Sequence, residues 1–292
     1  MKVCLRCQER FNGYGWRCSS CGYYPDEHDG FLAFSPAMAD TNEGFRPEYF
    51  NNLASLEAAN FWFTSRNLLI IWALRRYFAE AKSFLEIGCG TGFVLCGIRR
   101  EFPALKLAGS EIFTKGLAFA RQRLPRIELF QMDACRIPFD SEFDAIGAFD
   151  VLEHIEEDES ALREMFQATK PGGGIMLTVP QHPFLWSRVD DYSFHKRRYT
   201  RKELVKKLSH AGFRITRLTS FASFILPLMM ISRVKAKKKA DFDPFAEYQL
   251  GHRLNRLLEN IMGLERRFIT AGVSLSAGGS LFAVAKRPVG MT

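Results

Sequence analysis

Long apolar runs are missing from this chain of 292 residues. The longest predominantly apolar stretch, Phe221–Ile231, covers 11 residues, whereas a membrane-spanning helix needs about 20. The opening Met-Lys-Val-Cys starts no apolar signal segment, so a cytoplasmic protein is expected. Internal repeats are absent, and the lone low-complexity tract is Lys235–Lys239. Hydrophobic residues make up 47% and charged residues 25%, which is ordinary globular usage and excludes wholesale disorder and collagen. The length allows a core of ordinary size in one large domain or two modest ones.

Acidic residues are nearly missing from one segment. Residues 196–239 hold 14 Lys/Arg and a single acid, Glu203. The chain's net charge is +8 and this segment's is 14 − 1 = +13, so the remainder sums to −5. One region therefore carries the whole basic excess.

A disulfide framework is also missing. There are seven cysteines, an odd number, in a chain without a signal segment. Cys4, Cys7, Cys18 and Cys21 follow the pattern C-x2-C-x10-C-x2-C. Each C-x2-C is a tight turn that aims two sulfurs at one ion. Two such turns predict a structural tetrahedral zinc on four thiolates; a redox dithiol needs only one. A module this short has almost no core, so the metal would supply its folding energy. Residues 1–30 are read as this module, with Phe11, Tyr14, Trp16, Tyr23 and Tyr24 around the sulfurs. Residues 31–60 read as a linker that turns helical near its end, and residues 61–292 as the main domain.

From Ser83 onward, short strands alternate with helices, which predicts a parallel sheet covered on both faces. Strands are expected at 83–87, 105–110, 127–132, 143–149 and 174–179, and helices at 93–101, 114–124 and 157–169. Thr200 and Glu203 form a capping-box pattern that opens a further helix. Residues 213–219 and 280–286 read as two more strands, with mostly helical residues 221–270 between them.

The central motif is Glu86-Ile-Gly88-Cys89-Gly90-Thr-Gly92, between a strand and a helix. Glycine permits the sharp turn and a close backbone approach to a ligand. The spacing departs from the G-x-G-x-x-G of dinucleotide folds, because Phe93 takes the sixth position. Glu86, two residues before the first glycine, suits a ligand bearing an ammonium or hydroxyls. Glu111 ends the next strand, where a carboxylate accepts ribose hydroxyls. Asp133 ends the third, where one takes an adenine amino group. Asp150–His154 follows the fourth. Ligands of open α/β sheets bind outside the carboxyl ends of strands, so these elements share one crevice.

On these residues, with Lys170-Pro-Gly-Gly173, the segment 83–180 resembles a class I S-adenosylmethionine-dependent methyltransferase. The resemblance implies that Gly88 and Gly90 face the methionine part, Glu111 the ribose, and Asp133 with Ala134 the adenine. Glu86, Cys89, Gly92 and Asp150 complete the implied cofactor set. It also implies a seven-stranded, mostly parallel Rossmann-like sheet with an antiparallel last strand. The helical insertion 221–270 then becomes a substrate cap.

Methyl transfer from a sulfonium is an in-line displacement that rests on alignment; a hydroxyl acceptor also needs a base or a metal. His154, His182 and His195 are the candidate bases, and His195 is favoured. The last two lie in a loop dense in aromatics, histidine and charge. Asp150-x-x-Glu153-His154 also resembles the ExxEH element that binds a divalent ion in ubiquinone-pathway and small-RNA methyltransferases. Here the first acid is Asp, one methylene shorter, and a helix-start acid cluster is the preferred account. The apolar run 221–231 followed by five positive charges within 233–239 reads as a cap helix, a peripheral membrane contact, or a phosphate-facing surface. The leading expectation is methylation, at oxygen, of a small-molecule or lipid-linked acceptor. The first alternative is an RNA methyltransferase. Against it, residues 1–30 carry four Lys/Arg and four acids, so the zinc module is no phosphate magnet. A non-catalytic scaffold is the second alternative, disfavoured by the intact motif set.

Overall fold

The computed structural model describes residues 1–13, 15–39, 49–237 and 249–290. Tyr14, part of the lead-in, and Lys238–Lys239 lie outside the described residues. So do the side chains of 234–237.

Local sequence sets the first elements. In the ribbon, β1 (Lys2–Val3) pairs antiparallel with β2 (Arg10–Phe11). A hairpin of β3 (Asp26–His28) and β4 (Phe31–Ala33) follows. After it come α1 (Tyr49–Leu56) and α2 (Phe61–Tyr77). The Asn60 side chain caps α2 by accepting the Trp62 N–H, and Arg75 and Arg76 sit at its carboxyl end, where positive charge is favoured.

The alternating core matches the sequence reading closely. It comprises β5 (Ser83–Ile87), α3 (Phe93–Glu101), β6 (Lys106–Glu111), α4 (Thr114–Arg123), β7 (Glu128–Gln131), β8 (Phe143–Phe149), α5 (Asp158–Ala168) and β9 (Thr169–Pro180). Then come α6 (Arg188–Tyr192), α7 (Arg201–His210), β10 (Arg214–Phe221), α8 (Leu226–Lys237), α9 (His252–Thr270) and β11 (Ser280–Lys286). The Thr200 hydroxyl accepts the Glu203 N–H and so starts α7.

Among the described residues the main sheet has nine strands, in the order β10-β11-β9-β8-β5-β6-β7-β4-β3. β4 to β9 run parallel, and β11 inserts antiparallel between β9 and β10. This is the Rossmann-like α/β class with the antiparallel last strand. The strand count differs from the expected seven, because β3 and β4 extend the β7 edge. Asp26-Glu27-His28 is short and charged and shows no buried pattern, and Phe31–Ala33 is only three residues long.

The ribbon is joined to the sheet by more than this hairpin. Trp16 is buried with its ring 4.6 Å from Phe34, 5.6 Å from Phe130 and 5.4 Å from Phe139. Gln131, fully buried at the end of β7, accepts the Ser35 N–H at 3.0 Å. Its amide donates to the carbonyls of Ser35 (2.8 Å) and Ile112 (2.9 Å). The chain leaving the hairpin is thereby pinned beside Glu111. Far along the chain, buried Glu265 of α9 accepts the N–H groups of Ser223 and Phe224 at 2.7 and 2.8 Å. That contact fixes the start of α8 against α9. Asn255 of α9 bonds both the Phe61 N–H and the Ala59 carbonyl at 2.9 Å, tying α9 to the start of α2.

Trp16→Ala removes the ring at the centre of the edge cluster. It should destabilise the fold by about 3–5 kcal/mol, read as a lower urea midpoint. A loss below about 1 kcal/mol would mean that the ribbon does not depend on this docking.

Candidate cofactor and acceptor cavity

A cavity of about 600 Å³ opens at the carboxyl ends of β5, β6, β7 and β8. Strand ends converge there because every parallel strand leaves the sheet on the same side. The loop after β5 is built from left-handed residues, with φ of +66° at Gly88, +50° at Gly90 and +76° at Gly92. At Gly88 an added Cβ would lie 2.5 Å from Val151 Cγ2, so the backbone sits where no side chain fits. Gly92 does not line the cavity, unlike the rest of the expected cofactor set. Its absent Cβ lets α3 start against Ala120 of α4, at 3.0 Å, so its role is packing.

Four carboxylates surround the loop. Glu86 is buried with Oε2 unpartnered, and burial pushes its pKa well above the usual carboxylate range. Glu111 is buried too. Its Oε2 accepts the Gly90 N–H at 3.0 Å, and its Oε1 accepts the N–H groups of Ile112 and Phe113 at 2.9 and 3.3 Å. Burial outweighs these bonds and pushes its pKa up to about 6. Asp133 Oδ1 accepts the Cys135 N–H at 2.9 Å and starts the turn carrying Ala134. Asp150, at φ +58°, accepts the Thr178 hydroxyl at 3.0 Å and is ion-paired to Arg66 of α2. Cys89 lines the cavity, but burial raises its thiol pKa far above neutrality, so it is not a nucleophile.

The other side of the cavity is built around Asp190, a fully buried carboxylate at the start of α6. Its Oδ2 accepts the Ser187 N–H at 2.8 Å in a capping box. Its Oδ1 accepts Arg198 Nε at 2.8 Å and meets His195 Nδ1 at 2.9 Å. Burial alone would raise its pKa, but His195 and Arg198 outweigh it and hold the carboxyl below its usual range. The ring of His195 lies edge-on to His154, with centroids 4.7 Å apart, and both line the cavity. Glu153 is buried beside them with Oε2 unpartnered; burial, then Asp150, push its pKa well above normal.

His182 lies elsewhere. It does not line the cavity, and its ring lies 4.9 Å from that of exposed Phe184. A backbone φ of +64° turns it there, so it is removed from the candidate bases. The alternative cation set of Asp150, Glu153 and His154, which the sequence did not favour, changes as well. Glu153, His154 and His195 bring ligand atoms within 4.8 Å of one another. Asp150 is not in this group; Arg66 and Thr178 engage it. Arg66 and Asp190 were not singled out in the sequence. Arg66 had a signal, as the one charge within Phe61–Ala73.

The four ribbon cysteines come together. The Cys4–Cys21 and Cys7–Cys18 sulfurs are each 3.6 Å apart, and all four lie within 4.8 Å. A tetrahedral zinc with bonds of about 2.3 Å spaces its sulfurs about 3.8 Å apart, so the set fits zinc.

Fold and cavity define a class I Rossmann-like domain of the methyltransferase type. Residues 85–177 match the family model described as a methyltransferase domain. A Mycolicibacterium smegmatis protein named a probable S-adenosylmethionine-dependent methyltransferase is 25% identical over 169 residues, covering 56% of this chain and 63% of that one. Demethylmenaquinone methyltransferase of Chlorobaculum tepidum is 27% identical, covering 47% and 55%. The chain thus spans about 60% of the length of the curated relatives it matches, 63% and 58% for the first two. Among solved structures, Haemonchus contortus phosphoethanolamine N-methyltransferase 2 with S-adenosyl-L-methionine superposes at a TM-score of 0.51, with 20% identity, covering 76% of this chain and 52% of that one. The [4+2]-cyclase SpnF superposes at 0.52, with 21% identity, covering 77% and 82%. Residues 85–177 thus carry a methyltransferase domain by sequence match, within the Rossmann-like fold and beside an N-terminal four-cysteine cluster.

Two outcomes are expected. Gly88→Val should abolish binding of S-adenosylhomocysteine in calorimetry while the circular dichroism spectrum is retained; undiminished affinity would remove the loop from the cofactor site. Affinity should also fall as pH drops through about 6, because protonation of Glu111 removes its charge. The raised pKa means that the ligand-free fold gains from protonating Glu111, a gain lost as pH rises through about 6. Glu111→Gln should flatten the affinity profile, and an unchanged profile would assign the dependence elsewhere.

Proposed function

We propose that the chain is an S-adenosylmethionine-dependent methyltransferase acting at oxygen on a small-molecule or lipid-linked acceptor, with His195 as the base. The observation that carries this reading is the His195–Asp190 pair, which shares one cavity with the glycine loop. On the cofactor side, the unpartnered carboxylate of Glu86 suits an ammonium, and Glu111 suits vicinal hydroxyls. Asp133 and Ala134 suit the adenine. When bound, the cofactor supplies an electrophilic methyl group on a sulfonium.

The chain's residues do the rest. Asp190, held anionic, accepts the Nδ1–H of neutral His195 and leaves Nε2 as the proton acceptor. Nε2 takes the acceptor hydroxyl's proton as the oxygen attacks, and Asp190 stabilises the resulting imidazolium. Arg198 and Ser187 hold the carboxylate in place. Neutral amines need no such base, which is why the pair favours oxygen. His154, edge-on to His195, helps fix the ring. In this reading the ribbon cysteines hold a structural zinc within residues 1–30. The described residues of the 221–270 insertion form a cap that contributes Met229 and Arg233 to the cavity lining, and its residues 221–233 touch a membrane surface.

His195→Ala should lower kcat on a hydroxyl acceptor by roughly 10²–10⁴-fold, with affinity for S-adenosylhomocysteine changed less than about threefold. Asp190→Asn should lower kcat too, since it disturbs the tautomer. Full turnover by His195→Ala would end the role of His195 as base.

A further inference from the structure

α9 carries two apolar stripes rather than one. Leu258, Met262 and Ile269, with Glu265, form the buried face of this helix. Leu254, Leu257, Ile261, Leu264 and Phe268 recur at intervals of three and four on an adjacent face. That spacing is a second helical stripe. Leu254, Leu257, Leu264 and Phe268 are between 44% and 55% exposed. α8 extends the same surface. Phe224, Leu228 and Ile231 are 41–52% exposed, and the Phe224 ring lies 5.8 Å from that of Phe268. Glu265 locks the two helices together, so the patch is preformed. Exposed apolar surface of this extent marks an interaction site.

The charge around it selects the occupant. α9 carries four arginines (Arg253, Arg256, Arg266, Arg267) and two acids, exposed Glu259 and Glu265. Of the acids, Glu265 is buried and turned inward. Arg253, Arg256 and Arg267 are exposed and border the stripe. A second copy docked on this face would set arginine against arginine. An anionic bilayer surface would meet the apolar stripe with acyl chains and the arginines with headgroups. No helix among the described residues is long and apolar enough to cross a membrane, so the contact would lie in the interface plane.

We propose that the α8–α9 face docks on an anionic lipid surface, and that this sets the cavity beside the bilayer. On α8, Met229 and Arg233 line the cavity, whereas exposed Leu228 and Ile231 fall on the other side of the helix by their spacing. One helix diameter, about 10 Å, therefore separates the acceptor space from the membrane. The docking stands on its own observations; the consequence that the acceptor is membrane-resident rests on the methyltransferase reading.

The test is vesicle co-sedimentation of the full chain, comparing phosphatidylcholine alone with phosphatidylcholine holding about 30% phosphatidylglycerol. Binding to the anionic vesicles alone is expected, weakening at high salt. The double substitution Leu257→Glu with Leu264→Glu should reduce it at least tenfold, and Arg253→Glu with Arg256→Glu should reduce it as well. Both variants should keep wild-type affinity for S-adenosylhomocysteine, so a folding defect and a failed cofactor site register separately. Absence of wild-type vesicle binding would overturn the proposal, as would undiminished binding by the Leu257/Leu264 variant. A concentration-dependent doubling of mass in light scattering, lost in that variant, would overturn it in favour of a second copy.

Discussion

Arg66 sets a positive charge among the buried acids around the glycine loop. It reaches from α2 to pair with Asp150, and its field opposes the rise that burial imposes on the pKa values of Glu57, Glu86 and Glu153. Its side chain is only 11% exposed, so little water shares this work. Buried carboxylates repel one another and resist ionisation. A parallel sheet that brings them together at its strand ends needs a counter-charge from outside the sheet. Placing it on α2 makes the helix before β5 part of the site. Burial still leaves Glu86, Glu111 and Glu153 with raised pKa values, and so with an unmet demand for positive charge or hydrogen-bond donors. An ammonium-bearing, hydroxyl-rich ligand meets that stored demand, whereas a pyrophosphate would worsen it.

The cavity is held from both edges of the sheet. On one side, the ribbon and its hairpin reach Glu111 through Ser35, Gln131 and Ile112. This chain of contacts relates the four cysteines to the cofactor end without any of them entering it. On the other side, α6, the loop to Arg198 and α8 build the opposite end of the cavity around Asp190. Arg198 Nη1 also binds the Gln181 carbonyl at 3.2 Å, tying that carboxylate to the end of β9. The fold alone does not dictate chemistry: a cyclase shares this architecture. The case for methyl transfer at oxygen rests on the histidine–aspartate pair, and the case for the bilayer on the second stripe of α9.

Much of this was legible in the chain. Strands such as Ser83–Ile87 and Phe143–Phe149 and the helix Phe93–Glu101 have the expected bounds, because burial on both faces writes continuous apolar runs between glycine and proline stops. Glu86, Glu111, Asp133 and Asp150 were legible as strand-end acids. Less visible were β3 and β4, whose few residues carry no period. Asp190 hid as an ordinary helix-start acid in Ser187-x-x-Asp190, since a capping box looks alike whether or not it also serves a histidine. His182 and His195 looked equivalent in one loop until the backbone at His182 turned its ring away.

The sequence by itself determined the alternation of strands and helices, the glycine turn after β5 and the two cysteine pairs. Each rests on residues near in the chain, and local spacing is sufficient for it. Tertiary structure decided which histidine meets a buried carboxylate, which cation neutralises the acids, and which face of α9 stays uncovered. Arg66 and Asp150 are 84 residues apart; His195 and Asp190 are only five apart, but the burial that makes their pairing count comes from distant elements. No local pattern encodes the distance between such groups; the packing of helices on the sheet sets it.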